Sequence, residues 1–346
     1  MTGTIELGLD TFGDVTRSAG GELLSHAEVV RNVVAEATLA DAVGLDFFGV
    51  GEHHREDFAV SAPEVVLAAI AARTTRIRLG SAVTVLSSDD PIRVFQRFAT
   101  LDAVSNGRAE VILGRGSFTE SFPLFGFELR DYETLFEEKL DLFTALRTGE
   151  AVTWEGRTRP PLHEQRVFPP IEDGRRLTTW IGVGGSPESV VRAARHDLPM
   201  MLAIIGGSPA RFRPYVDLYR RAAAEFGHGV QPIGVHSPGY VADTDEAARA
   251  EFFDDYRQMH ARIGRERGWP PLQRSDFERE ADHGSLYIGS PETVATKIAA
   301  TVKTLGAARF DLKYSAGPLP HERLMRCIEL YGTKVAPLVR EMVAAG

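Results

Sequence analysis

The sequence predicts an α/β fold, a (β/α)8 barrel of the TIM type with insertions, in a single domain spanning residues 1–346. Three observations lead to this prediction. Short apolar segments alternate with segments of helical periodicity, eight such pairs follow one another, and no repeat of short fixed period is present. Strict alternation favours a parallel sheet, and eight units in a chain of this length favour a closed barrel over a doubly wound open sheet.

Composition narrows the class of protein. The chain is 43% hydrophobic and 25% charged, as in an ordinary soluble globular protein. A net charge of −9 without any block of basic residues argues against a nucleic-acid partner and against an anionic membrane surface. Cys327 is the only cysteine, so an intrachain disulfide and a cysteine-ligated metal site are excluded. The N-terminal segment lacks the features of a secretory signal and no apolar run has the length of a membrane span, so we expect a soluble, cytoplasmic protein.

The first four βα units are assigned from apolar runs and helix start signals. Ser25 is a suitable N-cap, and Glu28 three residues later completes a capping box. Pro63 and Pro91 each suit the first position of a helix. The predicted strands are 5–9, 46–50, 77–85 and 109–113, and the predicted helices are 25–43, 63–72, 91–104 and 132–147.

Four more units follow an insertion at 149–176, which is rich in Pro, Arg and Glu and which we interpret as a hairpin. A second interruption is the polar stretch 269–283. Long insertions in a compact domain are usually functional, so both are expected to form mobile covers over the barrel mouth. Because 149–176 precedes the fifth strand, it starts from the opposite rim, and a role in dimerisation is the alternative. The predicted strands are 178–183, 199–205, 232–241 and 309–314, and the predicted helices are 186–196 and 208–226, with others beginning at 244, 290 and 320.

Polar side chains first gather at the end of the second strand. Glu52, His53 and His54 come directly after its apolar run. In barrels the carboxyl ends of the strands form the face where ligands bind. Two imidazoles and a carboxylate at that face can transfer protons near neutral pH, whereas the alternative is a surface loop with two solvated histidines.

Two glycine-containing loops follow later strands. The loop 114–117 holds Arg115, a planar cation, between glycines that would let a ligand approach the backbone. The loop 183–189 reads VGGSPES, with Ser186 as N-cap and Pro187 opening a helix. Free backbone N–H groups, the helix dipole and two hydroxyls predict a phosphate site here. A tight turn with a serine cap is the alternative for the same residues.

Taken together, the motifs resemble one family. EHH after the second strand, TTRIRLGSAVTVLSSDDPIRVFQRFATLDAVSNGR, GRGSFTESFPLFG, WIGVGGSPES and HDLPMML occur in the order and spacing of the flavin-dependent luciferase-like monooxygenases, a superfamily that includes the α subunit of bacterial luciferase. The resemblance covers the chain from LGLDTFG to DLKYSAGPLP. It implies a barrel with FMN bound across its C-terminal mouth, in a homodimer. It also implies that a separate flavin reductase supplies the reduced FMN, and that dioxygen and a small organic molecule are the substrates.

The resemblance also assigns residues. His53 corresponds to the histidine beside the flavin, with His54 and Glu52 next to it, so these three are the candidate catalytic residues. Ala82 and Val83 fall where the family has a non-proline cis peptide against the isoalloxazine ring. A substrate cavity lined by Phe12, Phe58, Phe118 and Phe122 is expected. The candidate cofactor-binding residues are Ala82, Val83, Arg115, Val183, Gly184, Gly185, Ser186 and Ser189.

Two departures from the family pattern limit what carries over. Gly114 stands where bacterial luciferase has a reactive cysteine, and Asp90 stands where it has a histidine. Light emission from a long-chain aldehyde is therefore not expected. Three other functions stay open: hydride transfer with the deazaflavin F420, flavin binding without catalysis, and hydrolysis by a divalent metal on Glu52, His53 and His54. The last is disfavoured because adjacent histidines in one loop diverge, and no metal is expected.

Overall fold

Eight parallel strands close into a barrel in the computed structural model, which describes residues 4–116 and 118–345. Hydrogen-bonded neighbours follow the order β1, β2, β3, β5, β8, β9, β10 and β12, and β12 pairs with β1 to close the ring. The strands are β1 (Glu6–Thr11), β2 (Phe47–Val50), β3 (Arg78–Ser81), β4 (Thr84–Val85), β5 (Ala109–Gly114), β6 (Val152–Trp154), β7 (Leu162–Gln165), β8 (Thr178–Val183), β9 (Met200–Ala203), β10 (Ile233–Val241), β11 (Tyr287–Gly289) and β12 (Arg309–Lys313). The predicted fold class is thereby confirmed.

Helices follow each barrel strand and cover the outside of the barrel. The helix starts predicted at Ser25 and Ser186 are confirmed, because Ser25 and Glu28 form the capping box and Ser186 caps its helix through the Ser189 backbone N–H. The helices are α1 (His26–Ala42), α2 (Pro63–Ala71), α3 (Pro91–Val104), α4 (Ser121–Phe125), α5 (Tyr132–Leu146), α6 (Pro187–Arg195), α7 (Arg213–Glu225), α8 (Asp245–Arg267), α9 (Arg274–His283), α10 (Pro291–Leu305), α11 (His321–Leu330) and α12 (Ala336–Ala344). Across the described chain, no helix combines the length and apolarity needed to span a membrane.

Three predicted elements differ from the observed ones. The helix expected at 208–226 begins as a 3-10 turn at Pro209–Phe212 and is α-helical from Arg213. The single strand expected at 77–85 is divided into β3 and β4, and the break coincides with the cis peptide bond between Ala82 and Val83. The polar stretch 269–283 contains the helix α9, which packs through the buried side chains of Phe277 and Ala281.

The insertion 149–176 forms the antiparallel hairpin of β6 and β7, as predicted. It lies against the outside of the barrel, because Glu138 on α5 accepts hydrogen bonds from the backbone of Arg157 and Thr158, and Gln96 on α3 donates one to the carbonyl of Phe168. The hairpin thus belongs to the helical layer.

The barrel interior is filled by an unusual mixture of aromatic and charged side chains. An inner apolar cluster of Phe47, Ala82, Ile112, Trp180 and Met201 is separate from the main core between strands and helices. Next to this cluster a group that we call the barrel floor carries charge, and it consists of Glu110, Arg309 and Asp311. Arg309 is fully buried, donates to both carboxylates at 2.7 to 2.9 Å, and places its guanidinium 3.5 Å from the centre of the Phe47 ring.

Candidate functional site

A cavity of about 480 Å³ opens at the C-terminal mouth of the barrel. Its walls come from the ends of several barrel strands, from the loops that follow them and from one face of α8. The predicted site residues that line it are Glu52, His53, His54, Ala82, Val83, Arg115, Val183, Gly184 and Ser189. Gly185 and Ser186, also predicted, support the loop without lining the cavity, and Ser117 lies outside the described residues.

His53 lies in an aromatic box within this cavity. Its ring centre is 4.4 Å from that of Phe12, 4.5 Å from that of Phe58 and 5.2 Å from that of Phe118. Burial in this apolar surrounding lowers the pKa of His53 to about 3, against the opposing attraction of Asp14. The imidazole is therefore neutral at physiological pH, so it can accept a proton or exchange hydrogen bonds, but it does not carry a stored positive charge.

Glu52 and His54 form a separate pair that points away from this box. The Glu52 carboxylate accepts one hydrogen bond from His54 Nε2 at 2.9 Å and another from the backbone N–H of Val85 at 2.8 Å. The Glu52 backbone N–H also donates to the carbonyl of Val83 at 3.2 Å. Glu52 consequently fixes the segment around the cis peptide bond, and its carboxylate is already engaged.

The proposed metal ligands do not converge. Among the described residues, one group of three side chains has its possible metal-ligand atoms within 4.8 Å of one another, and it consists of Glu137, Asp141 and His196. None of the three lines the cavity. Glu137 and Asp141 are instead paired with arginines on α6. The arrangement gives the metal-hydrolase alternative no donor set at the mouth.

The Ala82–Val83 peptide bond is cis, at the position that the resemblance implies. Both residues line the cavity, with Ile112 beside them. A Cβ atom added at Gly114 would lie 2.5 Å from Cγ2 of Val83, closer than any side chain can tolerate. The glycine at 114 thus makes room for Val83. Gly114 and Gly116 also line the cavity, so ligand approach to their backbone stays a prediction.

The start of α6 offers hydrogen-bond donors on the side opposite His53. Ser189 lines the cavity, and its hydroxyl accepts a hydrogen bond at 3.2 Å from the buried Arg192. Arg115 also lines the cavity, pairs with Glu133 and lies 5.3 Å from the centre of the Tyr132 ring. We call Arg115, Gly184 and Ser189 the phosphate corner, after the phosphate site that the sequence predicts at this loop.

The same loop motif occurs a second time in the chain and shows what it can bind. Gly289 to Thr293 reads GSPET before α10, as GSPES does before α6. There the Asp245 carboxylate accepts hydrogen bonds from the Ser290 backbone N–H at 2.6 Å and from the Thr293 hydroxyl at 3.0 Å. At α6, no described residue accepts from the equivalent Ser186 N–H. The motif holds an anionic oxygen in one copy and leaves the same donors available in the other.

A third group of functional side chains was not predicted. His236, Asp10 and Lys313 line the cavity from β10, β1 and β12. Strand register brings them together, since β12 pairs Lys313 with Asp10 and Asp311 with His236. Nδ1 of His236 donates to the Asp10 carboxylate at 2.7 Å. The signal that could have revealed them is the presence of ionisable residues in the middle of otherwise apolar strands.

His236 and His53 differ in their electrostatic surroundings. Burial alone would lower the pKa of His236, but the charge and hydrogen bond of Asp10, together with Asp311, outweigh it and raise that pKa above its ordinary value. Phe12 separates the two histidines, with ring centres 4.4 Å from His53 and 6.2 Å from His236. One cavity therefore contains a neutral imidazole and one that favours its charged form.

The cavity is covered by the C-terminal half of α8. Tyr256, Met259, His260 and Ile263 form a stripe along one face of this helix, and Trp269 follows its end. The predicted cover at 269–283 is thus correct only at Trp269, because the remaining residues of that stretch do not line the cavity. For 149–176 the cover prediction is wrong, since the hairpin lies on the outside and contributes no lining residue. Phe122 is also excluded from the lining and stacks on Tyr132.

Arg55 joins the cover to the barrel. It is 8% exposed and makes two hydrogen bonds with Glu266 near the end of α8, at 2.6 and 2.7 Å. It also pairs with Asp57 at 3.0 Å and with Glu120 on the loop after β5. We call Arg55, Asp57, Glu120 and Glu266 the latch, because these residues connect three separate segments around the mouth.

Comparison with known proteins gives consistent matches over nearly the whole chain. The family described as luciferase-like monooxygenase matches residues 11–309. The alkanal monooxygenase alpha chain of Photobacterium leiognathi is 24% identical over 347 residues, which cover 92% of this chain and 95% of the relative.

Two solved structures share the fold. One is the oxygenating constituent of 3,6-diketocamphane monooxygenase from Pseudomonas putida, a type II Baeyer-Villiger monooxygenase in complex with FMN. Its TM-score is 0.78 and its sequence identity 20%, and the match covers 97% of this chain and 99% of that chain. The other is the coenzyme F420 dependent tetrahydromethanopterin reductase from Methanopyrus kandleri, with a TM-score of 0.74, 18% identity and the same coverage of both chains.

Proposed function

The chain belongs to the luciferase-like monooxygenase family, and from that premise we propose that it is a flavin-dependent monooxygenase that uses reduced FMN and dioxygen to oxidise a small organic molecule. The single observation that carries the cofactor assignment is the second copy of the GSPE motif. Its binding of the Asp245 carboxylate indicates that the copy at α6 can hold an anionic phosphate oxygen in the same way. A homodimer supplied with reduced FMN by a separate reductase belongs to this proposal.

The residues present fit FMN at both ends of the molecule. At the phosphate corner, the Ser186 backbone N–H, the Ser189 hydroxyl and the Arg115 guanidinium are the donors that a dianionic phosphate needs. Toward the barrel axis, Ala82, Val83 and Ile112 give an apolar surface suited to a flat aromatic ring. Both features belong to one continuous cavity.

The charge balance at the phosphate corner favours FMN over F420. Arg115 pairs with Glu133, and Arg192 pairs with Glu133 and Glu137. Glu188 adds another carboxylate at the start of the same helix. F420 carries a tail with further carboxylates beyond its phosphate, and those would meet acidic side chains and already paired arginines. A single phosphate is the anion that this corner accommodates best.

In the proposed reaction, bound reduced FMN supplies the electrons that activate dioxygen. The protein supplies the surroundings. The aromatic box excludes water around His53, whose neutral ring can accept a proton or hold a hydrogen bond at the reacting centre. Glu52 keeps the segment at Val83 and Val85 in place, and α8 covers the cavity from above.

The cofactor assignment is tested by fluorescence titration of FMN against Ser186→Asp. Aspartate caps a helix as well as serine does, so the helix should persist while a negative charge is added beside the phosphate corner. We expect FMN affinity to fall about tenfold or more, which corresponds to about 1.4 kcal/mol or more. The control is Ser25→Asp at the N-cap of α1, which does not line the cavity. Unchanged FMN affinity in Ser186→Asp would contradict the assignment, and tighter binding of F420 than of FMN would replace it by the alternative.

A further inference from the structure

The pair of His236 and Asp10 has the geometry of an oriented hydrogen-bond donor facing the cavity. Asp10 is 1% exposed and His236 12% exposed, so the contact between them is shielded from bulk water. Because Nδ1 is occupied by the Asp10 carboxylate, the ring is fixed and Nε2 is the nitrogen left for a ligand. Within the described part of the chain, Nε2 has no hydrogen-bond partner, and His236 lines the cavity.

We infer that His236, oriented by Asp10, donates a hydrogen bond from Nε2 to an uncharged oxygen acceptor of the substrate, such as a carbonyl group. The inference deepens the proposed function and rests on it. His236 would touch the substrate, whereas Asp10 acts through His236 and is a positioning residue.

The choice of an uncharged acceptor follows from the groups around His236. Asp311 lies beside it in register on β12, and Asp10 faces it from β1, so a carboxylate ligand would meet two acidic side chains. Lys313 does not offset them for a ligand, because its ammonium group is bound to Asp14 and to Ser315. An ammonium ligand would face the imidazolium itself. A neutral oxygen on an apolar body meets none of these repulsions.

The remaining surroundings suit the apolar body of such a molecule. The Phe12 ring stacks against His236 at an interplanar angle of 14°. Met201, Ala203 and Pro238 line the same side of the cavity from β9 and β10. Tyr256, His260 and Arg267 are the titratable groups that face the cavity from α8 above, and the Arg267 guanidinium lies over the rings of Phe118 and Trp269.

The donor depends on pH in a direction that the structure sets. With Nδ1–H bonded to Asp10, Nε2 carries a proton only when the ring is charged. The pKa of His236 is raised by Asp10 and Asp311 against the effects of burial and of Lys313. The charged, donating form is therefore favoured over that of a free imidazole, and the donor is lost as the pH rises through that raised pKa.

The test uses three probes with one apolar body and different polar groups: cyclohexanone, cyclohexanecarboxylate and cyclohexylammonium. Each is titrated into the protein with oxidised FMN and into the protein without it. The carbonyl stretch of ¹³C-labelled cyclohexanone is recorded by difference infrared spectroscopy, since a hydrogen bond from a charged donor shifts it to lower frequency. The variants are His236→Phe, which keeps an aromatic ring against Phe12, His236→Gln, which keeps a donor, and Asp10→Asn.

We expect cyclohexanone to bind more tightly than the two charged probes and its carbonyl frequency to fall on binding. His236→Phe should remove that shift and weaken the binding of cyclohexanone about tenfold or more, as for loss of a hydrogen bond to a charged group. His236→Gln should restore part of the shift and part of the affinity. Asp10→Asn should lower the pH at which the shift disappears.

Three results would overturn the inference: an unshifted or unbound ketone in the unmodified protein, tightest binding of the carboxylate, or a loss of FMN affinity in His236→Phe, which would assign His236 to the flavin instead. If the protein fails to bind FMN at all, the proposed function fails, and the infrared shift without FMN still decides the role of His236.

Discussion

Removing the Arg55 side chain should release the cover while leaving the barrel folded. In Arg55→Met, Glu266 at the end of α8 loses the two hydrogen bonds that it accepts from Arg55, and the loops carrying Asp57 and Glu120 lose their shared partner. Hydrogen bonds between charged groups contribute about 1.5–3 kcal/mol each when buried. Glu266 is 49% exposed, so screening by water reduces this contribution.

A net value of about 1–2 kcal/mol for the latch corresponds to local opening that is about 5 to 30 times more frequent. The helix α8 is 23 residues long, and only its C-terminal half covers the cavity, so the opening should be confined to residues 256–269. Hydrogen exchange read by mass spectrometry should show faster exchange there, and acrylamide should quench Trp269 more strongly.

The matched control lies on the same helix. Arg257 is 56% exposed, pairs with Asp254 one turn away and lies over the Phe253 ring of the same helix, so Arg257→Met should leave exchange in 256–269 unchanged. The pKa of Glu266 is lowered, chiefly by its hydrogen bond to Arg55. The latch should therefore be intact above the ordinary pKa of glutamate and weaken as the pH falls through the lowered one. Equal exchange in Arg55→Met and the unmodified protein, or an increase spread over the whole barrel, would refute this account of the latch.

Two further predictions concern buried charge and the aromatic box. His53→Ala should slow the formation of oxygenated product from reduced FMN and dioxygen by about 10² to 10⁴, as for loss of a general acid or base. The part of the rate that depends on His53 should not change from pH 5 to 9, because the pKa of His53 is about 3. An inflection near pH 6.5 that disappears with His53 would contradict this. Arg309→Met should lower the free energy of unfolding by about 3–5 kcal/mol in urea titrations at pH 8, because Asp311 is left buried without its ion-pair partner, while Glu110 keeps only Arg78 as a cationic partner. Burial raises the pKa of Asp311 to about 6, so the loss should shrink as the pH falls and Asp311 is protonated, and an equal loss at pH 5 and pH 8 would show that the buried charge is not responsible.

Local signals explain why so much of the fold was predictable. The helix starts at Ser25, Pro63, Pro91 and Ser186 depend on a few adjacent residues, and the structure has them where the sequence predicts them. The count of eight strands required only that each apolar run be recognised. The candidate residues at strand ends, His53 among them, followed from the rule that ligands bind at that end of a barrel.

The residues that escaped prediction depend on contacts between distant parts of the chain. Asp10 and His236 are 226 residues apart, and only the closure of the sheet at β12 brings them together. Gly114 was predicted as a site of ligand approach, and its close contact with Val83 between β3 and β4 was not foreseen. The position of the hairpin 149–176 depends on its contacts with α3 and α5, which no local pattern specifies.

His236 and the helix that covers the cavity lie on the same βα unit, which makes that unit a suitable segment to exchange between related proteins. Residues 233–269 carry the donor at one end and, at the other, the stripe of α8 and Trp269 that closes over it. The phosphate corner and the cis peptide bond belong to earlier units. Transplanting 233–269 from a relative as one contiguous segment would therefore exchange the wall that we propose faces the substrate together with the helix that covers it. The half of the barrel that we propose binds FMN would keep its native sequence.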